Sequence, residues 1–457
     1  TVAGSYTVAV AVAGGSNPTG SFSLTNLPDV PHSIVLAGDN QSTIVNTAFG
    51  SPLVVTVLDQ YGNAVGSGYS VTLTAPNIGA SGLFSNNAVT ITLTTDALGQ
   101  VSDLFTANTV AGSYTVAVAV AGGSNPTGSF SLTNLPDVPH SIVLSGDNQS
   151  TIVNTAFGSP LVVTVLDQYG NAVGAGYTVT LTAPGSGASI SGSNTLTLTT
   201  NASGQASASV SANTVAGSYT VAVAVAGGSN PTGSFSLTNL AAAPANITVS
   251  GGGQSTQVNT AFGNQIVVTV TDQYGNPVPG VTVVFFLPTA GASGTLSGGI
   301  TGVTNAAGQV VKTLTANTVA GTYNIGVVAV GGVNPSVWVG PLTNTPGPLA
   351  QISFLVAPPT TVTANTPISP PVRVILKDQY GNRILQGGVQ VRLWLVRPNN
   401  TVSPNLSGGP RTVTTNVNGL ARFLNLVVTQ PGNYKWRVRV IGQPIPAILS
   451  STFTVTP

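Results

Sequence analysis

Apolar and polar residues alternate in short runs along the chain, and turn-forming residues separate these runs. In the repeated segment VVTVLDQYGN, alternating valines lead directly into Asp, Gln, Tyr, Gly and Asn. A period of two residues indicates a half-buried β-strand, and Gly beside Asn or Asp is typical of the turn that ends one. Because no stretch repeats its apolar residues with the helical period of about 3.6, the pattern predicts an all-β protein.

The pentad DQYGN divides the chain into repeats. It occurs four times, beginning at Asp59, Asp167, Asp272 and Asp378, and successive copies are 108, 105 and 106 residues apart. A fixed period of this length, with strands and turns inside each period, predicts a tandem array of small β domains. A repeat of this size can bury a hydrophobic core of its own.

The repeat predicts a partial unit and four complete modules. We call them the N-terminal hairpin (1–28), module one (32–136), module two (140–240), module three (245–345) and module four (350–457). The joints between them are short and contain Pro, which favours stiff, extended connections. Because the chain opens in the middle of the pattern and contains no Met, we expect it to be a processed or trimmed piece of a longer protein.

Seven short strands are predicted inside module one, and two in the hairpin. Valine and threonine dominate them, as is typical of pleated, half-buried surfaces. Seven strands in about 100 residues predict an Ig-like β-sandwich, so the fold class is an all-β tandem array of such domains forming an elongated rod. The predicted strands are 6–12 and 19–24 in the hairpin, and 33–36, 53–58, 69–74, 89–94, 100–106, 113–120 and 128–132 in module one.

Three motifs give the chain a family resemblance: VVTVLDQYGNAV (VVTVTDQYGNPVPGVTV in module three), the turn T-[DN]-x-x-G-Q, and ANTVAG[ST]Y before a late strand. With them the chain resembles bacterial immunoglobulin-like repeat domains of the invasin/intimin type. The resemblance implies extracellular spacer domains of cell-surface proteins, in which ligand binding usually lies in separate tip domains. Module four departs most from the pattern, because LKDQYGNRIL places charges on both sides of the turn.

The Asp, Gly and Asn of each pentad are predicted to build a structural turn. Asp accepts hydrogen bonds from turn amides, Gly supplies a positive φ, and Asn tolerates the left-handed conformation. A calcium site that uses Asp59 and Asn63 is the alternative, but one carboxylate per turn is poor ligation for a cation that takes about six to eight oxygens. The turn residues are Asp59, Gly62, Asn63, Asp167, Gly170, Asn171, Asp272, Gly275, Asn276, Asp378, Gly381 and Asn382.

A tyrosine opens the penultimate strand of every unit. Its position matches the tyrosine corner of Ig sandwiches, in which the hydroxyl binds nearby backbone. Stacking on a sugar is the alternative function of such a ring. The residues are Tyr6, Tyr114, Tyr219, Tyr323 and Tyr434.

Charge is scarce and unevenly distributed. Charged residues make up 5% of the chain, far below the usual share of about a quarter. The first 350 residues hold one Lys and nine Asp, a net −8, and the remainder holds ten Lys or Arg and one Asp, a net +9. The strands of YTVAVAVAGG would present an uncharged stripe of Ala and Thr outward. These features predict either a hydrated stalk or faces that pack against other copies of the chain.

Module four carries a candidate binding face. In VRLWLVR, Arg392 and Trp394 share one side of a strand, and in YKWRVRV the cations Lys435, Arg437 and Arg439 share another. The two strands would be neighbours in one Ig sheet, so their outward side would show four cations around a Trp. Such a face suits an anionic polysaccharide or an acidic cell-surface protein. A solvated terminal cap is the plain alternative, and nucleic acid is not expected.

Catalysis and cofactors find no support in the sequence. The chain has no Cys, its two histidines, His32 and His140, occupy equivalent joint positions, and no metal-ligand spacing occurs. No apolar run is long enough to span a membrane. Together with the extracellular location that the resemblance implies, this leads us to expect a non-enzymatic extracellular protein that forms the shaft of a surface filament, stalk or fibrous adhesin and assembles head-to-tail or laterally. The alternatives are an adhesin whose basic module four binds an anionic glycan or another surface polymer, and the spacer region of an enzyme.

Overall fold

A computed structural model describes residues 1–457 and contains strands but no helix. The chain divides into two compact units, Thr1–Leu240 and Ala241–Pro457. Each unit has two separate hydrophobic cores: the first unit has cores within 49–132 and 157–237, and the second has cores within 262–342 and 352–455. The predicted all-β array of Ig-like domains is confirmed, whereas the module boundaries remain a prediction. The structure therefore contains no helical segment that could span a membrane.

The first unit begins with a hairpin and continues with two sandwiches. The hairpin strands are β1 (Gly4–Ala11) and β2 (Thr19–Asn26). Module one contains β3 (Ser33–Ala37), β4 (Gln41–Ile44), β5 (Leu53–Leu58), β6 (Ser70–Thr74), β7 (Gly82–Phe84), β8 (Thr90–Thr94), β9 (Gln100–Asp103), β10 (Phe105–Ala107), β11 (Gly112–Val120) and β12 (Thr127–Leu135). Module two contains β13 (Ser141–Ser145), β14 (Gln149–Ile152), β15 (Leu161–Leu166), β16 (Thr178–Thr182), β17 (Thr195–Thr199), β18 (Gln205–Ala208), β19 (Gly217–Val225) and β20 (Thr232–Leu240).

Each module of the first unit packs a three-stranded sheet against a five-stranded sheet. In module one the strand orders are β3–β5–β9 and β4–β12–β11–β6–β8, and β7 pairs with β10 at the side. Neighbouring strands are antiparallel except for β4, which runs parallel to β12. Module two repeats this arrangement as β13–β15–β18 and β14–β20–β19–β16–β17.

The core lies between the two sheets because alternate residues of their strands point inward. Val55 and Val57 of β5 face Val116 and Val118 of β11, and all four are at most 1% exposed. The intervening residues of β11 are exposed Thr and Ala, so the outer stripe has no charge. Burying a side chain of this size stabilises the fold by about 1.5–3 kcal/mol, and some eighteen buried apolar residues share this core.

The second unit contains modules three and four. Module three has β21 (Asn246–Ser250), β22 (Gln254–Gln257), β23 (Ile266–Thr271), β24 (Thr282–Phe286), β25 (Gly294–Leu296), β26 (Thr301–Val303), β27 (Gln309–Lys312), β28 (Leu314–Ala316), β29 (Gly321–Ala329) and β30 (Ser336–Thr345). Module four has β31 (Gln351–Phe354), β32 (Thr361–Thr363), β33 (Val372–Lys377), β34 (Gln390–Val396), β35 (Leu406–Ser407), β36 (Thr412–Thr414), β37 (Leu420–Phe423), β38 (Val427–Val428), β39 (Gly432–Val440), β40 (Ile448–Leu449) and β41 (Phe453–Thr456).

Module four follows the same plan with different filling. Its sheets are β31–β33–β37 and β32–β41–β39–β34–β36, and the added strand β40 pairs with β39. Trp436 of β39 stands where Val116 stands on β11, is fully buried, and stacks on Phe453 with ring centroids 5.2 Å apart. The strands β34 and β39 are antiparallel neighbours, as the sequence predicts.

The N-terminal hairpin exposes the face that a module buries. Its strands pair in full register, but Val8 and Phe22 are 42% and 64% exposed. The equivalent residues of module one, Val116 and Phe130, are fully buried. The sequences are the same, so the difference comes from the absence of an opposing sheet.

Candidate functional sites

The DQYGN turn closes on its aspartate. In module one, the Asp59 carboxylate accepts hydrogen bonds from the amides of Tyr61 and Asn63, both at 2.9 Å, and from the Asn63 side chain. Gly62 has φ of 83°, a conformation that L-residues with a side chain rarely adopt. Asp59 is 2% exposed, and every hydrogen-bond donor around its carboxylate is an N–H group of the protein. The pattern recurs at Asp167, Asp272 and Asp378, where the glycines have φ of 87–88°.

These contacts set the ionisation of the aspartates. Burial alone would raise the pKa of the Asp59 carboxyl, but the hydrogen bonds donated by the Asn63 side chain and by the amides of Asn63, Asp29 and Tyr61 outweigh it and lower the pKa to about 2. The same balance lowers the pKa values of the other three pentad aspartates, Asp167, Asp272 and Asp378. The turns therefore hold charged carboxylates at neutral pH without a cation.

The second carboxylate oxygen of each turn binds the joint that precedes the module. Asp59 Oδ2 accepts the amide of Asp29 at 3.1 Å, and the Gln60 side chain donates to the Asp29 carboxylate at 2.9 Å. The contact fixes the linker against the turn, so the joint is not a free tether. Equivalent amide contacts link Asp137 to Asp167, Ala242 to Asp272 and Gly347 to Asp378, at 2.9–3.0 Å.

The asparagine of the turn reaches into the preceding module. Asn171 Nδ2 donates to the carbonyl of Thr109 at 2.9 Å, and its Oδ1 accepts the amide of Ala111 at 3.0 Å. We call this two-bond contact, between a turn Asn and a preceding T-V-A segment, the joint latch. The latch also joins Asn63 to Thr1 and Ala3, and Asn382 to Thr318 and Ala320, at 2.8–3.0 Å.

The tyrosine of the pentad adds a third contact between modules one and two. The hydroxyl of Tyr169 accepts a hydrogen bond from the side chain of Asn46 at 3.1 Å. Sequence reasoning predicts the turn but misses its role in the joint. The signal was present: DQYGN is identical in all four modules, whereas the other recurrent turn varies between DALG, NASG, NAAG and NVNG. A turn needs only Asp or Asn and Gly, so the retained Gln, Tyr and Asn indicate a further contact.

A calcium site at these turns is disfavoured by the donor set. All hydrogen-bonding groups around Asp59 are N–H donors, which would face a cation with the wrong polarity. No group of three or more His, Asp or Glu side chains is placed to hold a metal ion. His32 and His140 are exposed, and their backbone amides bind Leu58 and Leu166.

The predicted tyrosine corners do not share one geometry. Tyr114 donates its hydroxyl to the side chain of Asn134 at 3.0 Å rather than to backbone. The hydroxyl of Tyr434 accepts a bond from the Asn405 side chain at 2.9 Å, and the ring of Tyr6 is 46% exposed. The hydroxyls of Tyr219 and Tyr323 are buried, and burial raises the pKa of each to about 12, although a hydrogen bond with the Asn239 side chain opposes the rise at Tyr219.

The five residues of the basic face are brought together on adjacent strands of module four. In the register of β34 and β39, Arg392 lies opposite Arg439 and Trp394 lies opposite Arg437. The guanidinium carbons of Arg392 and Arg437 lie 5.0 and 5.2 Å from the centroid of the Trp394 ring. Lys435 continues the row along β39, two residues from Arg437.

No acid of module four offsets this charge. Its single acidic residue, Asp378, is fully buried in the DQYGN turn. The guanidinium groups of Arg392 and Arg437 both lie within reach of a cation–π interaction with the Trp394 ring. Guanidinium groups can form bidentate hydrogen bonds with carboxylate and similar planar anions, so the face has the charge and the donors that such groups require.

The acidic charge of the first 350 residues is less available than the sequence implies. Four of its nine aspartates are buried and accept hydrogen bonds from this region of the chain: Asp59, Asp103, Asp167 and Asp272. The single lysine of this region, Lys312, is also buried and donates to the carbonyls of Ser297 and Thr301. An opposing acidic surface would thus be sparse.

Comparison with known proteins shows which domains the repeat is similar to. Residues 263–339 match the sequence model of the bacterial Ig-like domain (group 1) family, which confirms the predicted resemblance to bacterial Ig-like domains. Among solved structures, the chain is similar to the Escherichia coli adhesin FdeC, with 20% identity over 69% of this chain and 96% of that one and a TM-score of 0.37. It is also similar to invasin, a bacterial integrin-binding protein, with 17% identity over 93% and 79% and a TM-score of 0.37. Yersinia pseudotuberculosis InvD shows 17% identity over 69% and 97%, with a TM-score of 0.35.

Proposed function

We propose that the chain is a non-enzymatic extracellular structural protein that forms the shaft of a cell-surface filament, stalk or fibrous adhesin. The observation that carries the proposal is the joint latch, because the same two hydrogen bonds recur at successive joints. A protein that only needed separate binding domains would not require its joints to be fixed. Stiff joints between self-sufficient sandwiches are what a spacer needs in order to hold a distant site away from a surface.

Self-assembly is the finer part of this proposal, and the exposed sheet faces support its lateral form. Cross-strand hydroxyls cover the five-stranded sheet of module one, where Thr72 and Thr92 bind each other at 3.0 Å. Uncharged faces of small residues have little electrostatic repulsion to prevent close approach of a second copy. The head-to-tail form would require an end contact in addition.

Imaging of the source cells tests the shaft. Antibodies raised against residues 141–240, applied to intact cells with electron microscopy, are expected to label surface structures. Lateral assembly predicts label along bundled or periodic fibres, and a free stalk predicts isolated label near the envelope. Label that appears only after the cells are permeabilised would exclude the proposal.

The second candidate function is binding of an anionic polymer by the basic face of module four. The placement of Arg392 and Arg437 over Trp394 favours it, because three solvent-facing groups form one cluster on a regular sheet. In this case module four would be the binding end and modules one to three the spacer. The ligand class is a sulfated or carboxylated polysaccharide, or an acidic protein surface.

A further inference from the structure

The joint latch has two unlike halves, and modules one and three each carry both of them. The first half is the Asn of the DQYGN turn, which we call the socket. The second half is the T-V-A segment that comes directly before the last two strands of the module, and we call it the plug. Because the plug offers one backbone carbonyl and one amide, its partner must present an acceptor and a donor side by side. A side-chain amide, as in Asn171, does this.

The plug is held in shape by two asparagines of its own module, one half-buried and one buried. In module one, Asn108 Oδ1 accepts the amide of Val110 at 3.1 Å, and Asn134 Nδ2 donates to Asn108 Oδ1 and to the Val110 carbonyl, both at 3.1 Å. These bonds use the polar groups of Val110 and leave those of its two neighbours, Thr109 and Ala111, for the socket. Module three has the same arrangement in Asn317, Val319 and Asn344.

Module four keeps the socket but not the plug. Strand register aligns Gly432 with Gly112, because these glycines lie opposite Val455 and Asn134 respectively. Pro431 therefore stands where Ala111 supplies the amide, and proline has no N–H group.

The asparagines that shape the plug are also replaced. The amide of Asn365 binds the Val428 carbonyl as that of Asn46 binds Asn108, so Val428 and Val455 occupy the two asparagine positions. Neither valine can hold the loop by hydrogen bonds. Pro431 therefore removes one bond of the latch, and the two valines remove the bonds that shape the plug.

We propose that the latch is a directional connector and that module four is its terminator. The plug of one module recognises the socket of the next, and the C-terminal end of module four does not hold a further module of this class. Head-to-tail growth of one copy onto another through this connector therefore stops at module four. The inference rests on the joint geometry and is independent of whether the chain is a surface shaft.

The connector is tested by placing proline, the residue found at position 431 of module four, at the equivalent position 111 of module one. The chain has no Cys, so Thr92→Cys and Thr197→Cys introduce one spin label on an exposed strand of each flanking module. We expect a narrow label–label distance distribution for the parent and for Ala111→Ser, which keeps the amide N–H. Ala111→Pro should widen the distribution about twofold or more, because it removes one of the two latch bonds and leaves the bonds of Asn171 to Thr109 and of Asn46 to Tyr169 to restrain the joint with the linker.

A second variant guards against damage to module one. Asn171→Ala removes the socket from the other side of the joint and should widen the same distribution. Asn201→Ala, which removes an Asn from a turn confined to module two, should not. Unchanged widths in both Ala111→Pro and Asn171→Ala, or equal widening by Asn201→Ala, would overturn the connector.

The terminator is tested by adding a module. A copy of residues 136–240 is fused after Pro457, with labels at Thr412→Cys and at the copied position of Thr197. We expect a broad distribution across the new joint, compared with the narrow one between modules one and two. A distribution as narrow as that of the natural joint would show that module four can hold a further module.

Discussion

The aspartate of each DQYGN turn is buried and yet charged, because hydrogen-bond donors replace the water that it loses. Asp59 accepts bonds from the turn, including the Asn63 side chain, and from the linker, so one carboxylate holds these two segments together. Removing such an acceptor leaves several N–H groups unpaired, which costs more than the loss of one hydrogen bond. The stability of the fold at low pH should therefore be controlled by the four pentad aspartates.

Acid should titrate the four pentad aspartates below the ordinary pKa range of an Asp side chain. The pKa of Asp59 is lowered to about 2, so its charged form stabilises the fold above the unfolded pKa of about 4. That stabilisation is lost as the pH falls through about 2. The chain has ten Asp and no Glu, so a carbon NMR spectrum of protein labelled at the Asp side chains contains few carboxyl signals, and each can be followed separately.

We expect the signal assigned by Asp59→Asn to move at about pH 2, and the signals of Asp167, Asp272 and Asp378 to move below the ordinary Asp range. Asp96→Asn is the matched control, because this exposed turn position carries Asn in the other modules. Titration of all ten carboxyls together near pH 4 would contradict the hydrogen-bonded turn.

Strands of identical sequence have different environments in this chain. The segment TGSFSLTN forms β2 in the hairpin and recurs within β12 and β20 in the modules. Its Phe is 64% exposed at Phe22 and fully buried at Phe130 and Phe235. Energetic differences between these copies measure the sandwich core alone, since local propensity is the same.

Truncating the buried copy should destabilise its module strongly. Phe235→Ala is expected to cost about 3–5 kcal/mol, through lost burial and a cavity between the sheets. The measurement is hydrogen exchange of peptides from module two, with module one as internal reference. Phe22→Ala is the matched control and should change the stability of either module by less than about 0.5 kcal/mol. Equal effects of the two variants would contradict separate module cores.

Strand prediction from the sequence succeeds where the alternation is strong. β5 coincides with the predicted 53–58, and β6, β8 and β11 differ from prediction by one residue at one end. The short polar β4 and the three-residue β7 were missed, because neither alternates long enough to show a period. The predicted strand 100–106 is two strands, since it leaves one sheet for another at Leu104, which is 62% exposed.

At the scale of the whole chain, the sequence predicts which residues carry charge but not which of them reach solvent. The row of cations on β39 follows from a period of two, and the structure places it beside Trp394. The burial of the four pentad aspartates could not be read from the sequence, because it depends on linkers that fold back onto the turns. The joint latch has the same origin, since its two halves lie 60 or more residues apart.

The excess of cations in module four leads to a prediction about binding of polyanions. With no exposed acid in module four, its cations are free to bind an anionic chain. The intact protein should be retained on heparin and released by salt, because exposed charges are screened. Arg437→Ala with Arg439→Ala removes two contacts of about 0.5–1 kcal/mol each, which lowers affinity about five- to thirtyfold and shifts elution to lower salt.

The control variant removes the same charge from the other sheet. Arg373 and Arg422 lie opposite each other on β33 and β37, away from Trp394. Arg373→Ala with Arg422→Ala should elute close to the parent if the face on β34 and β39 is the binding site, because the net charge of the two variants is equal. Equal loss in both variants would mean that net charge alone binds the polymer, and no loss in the first would exclude this face as its site.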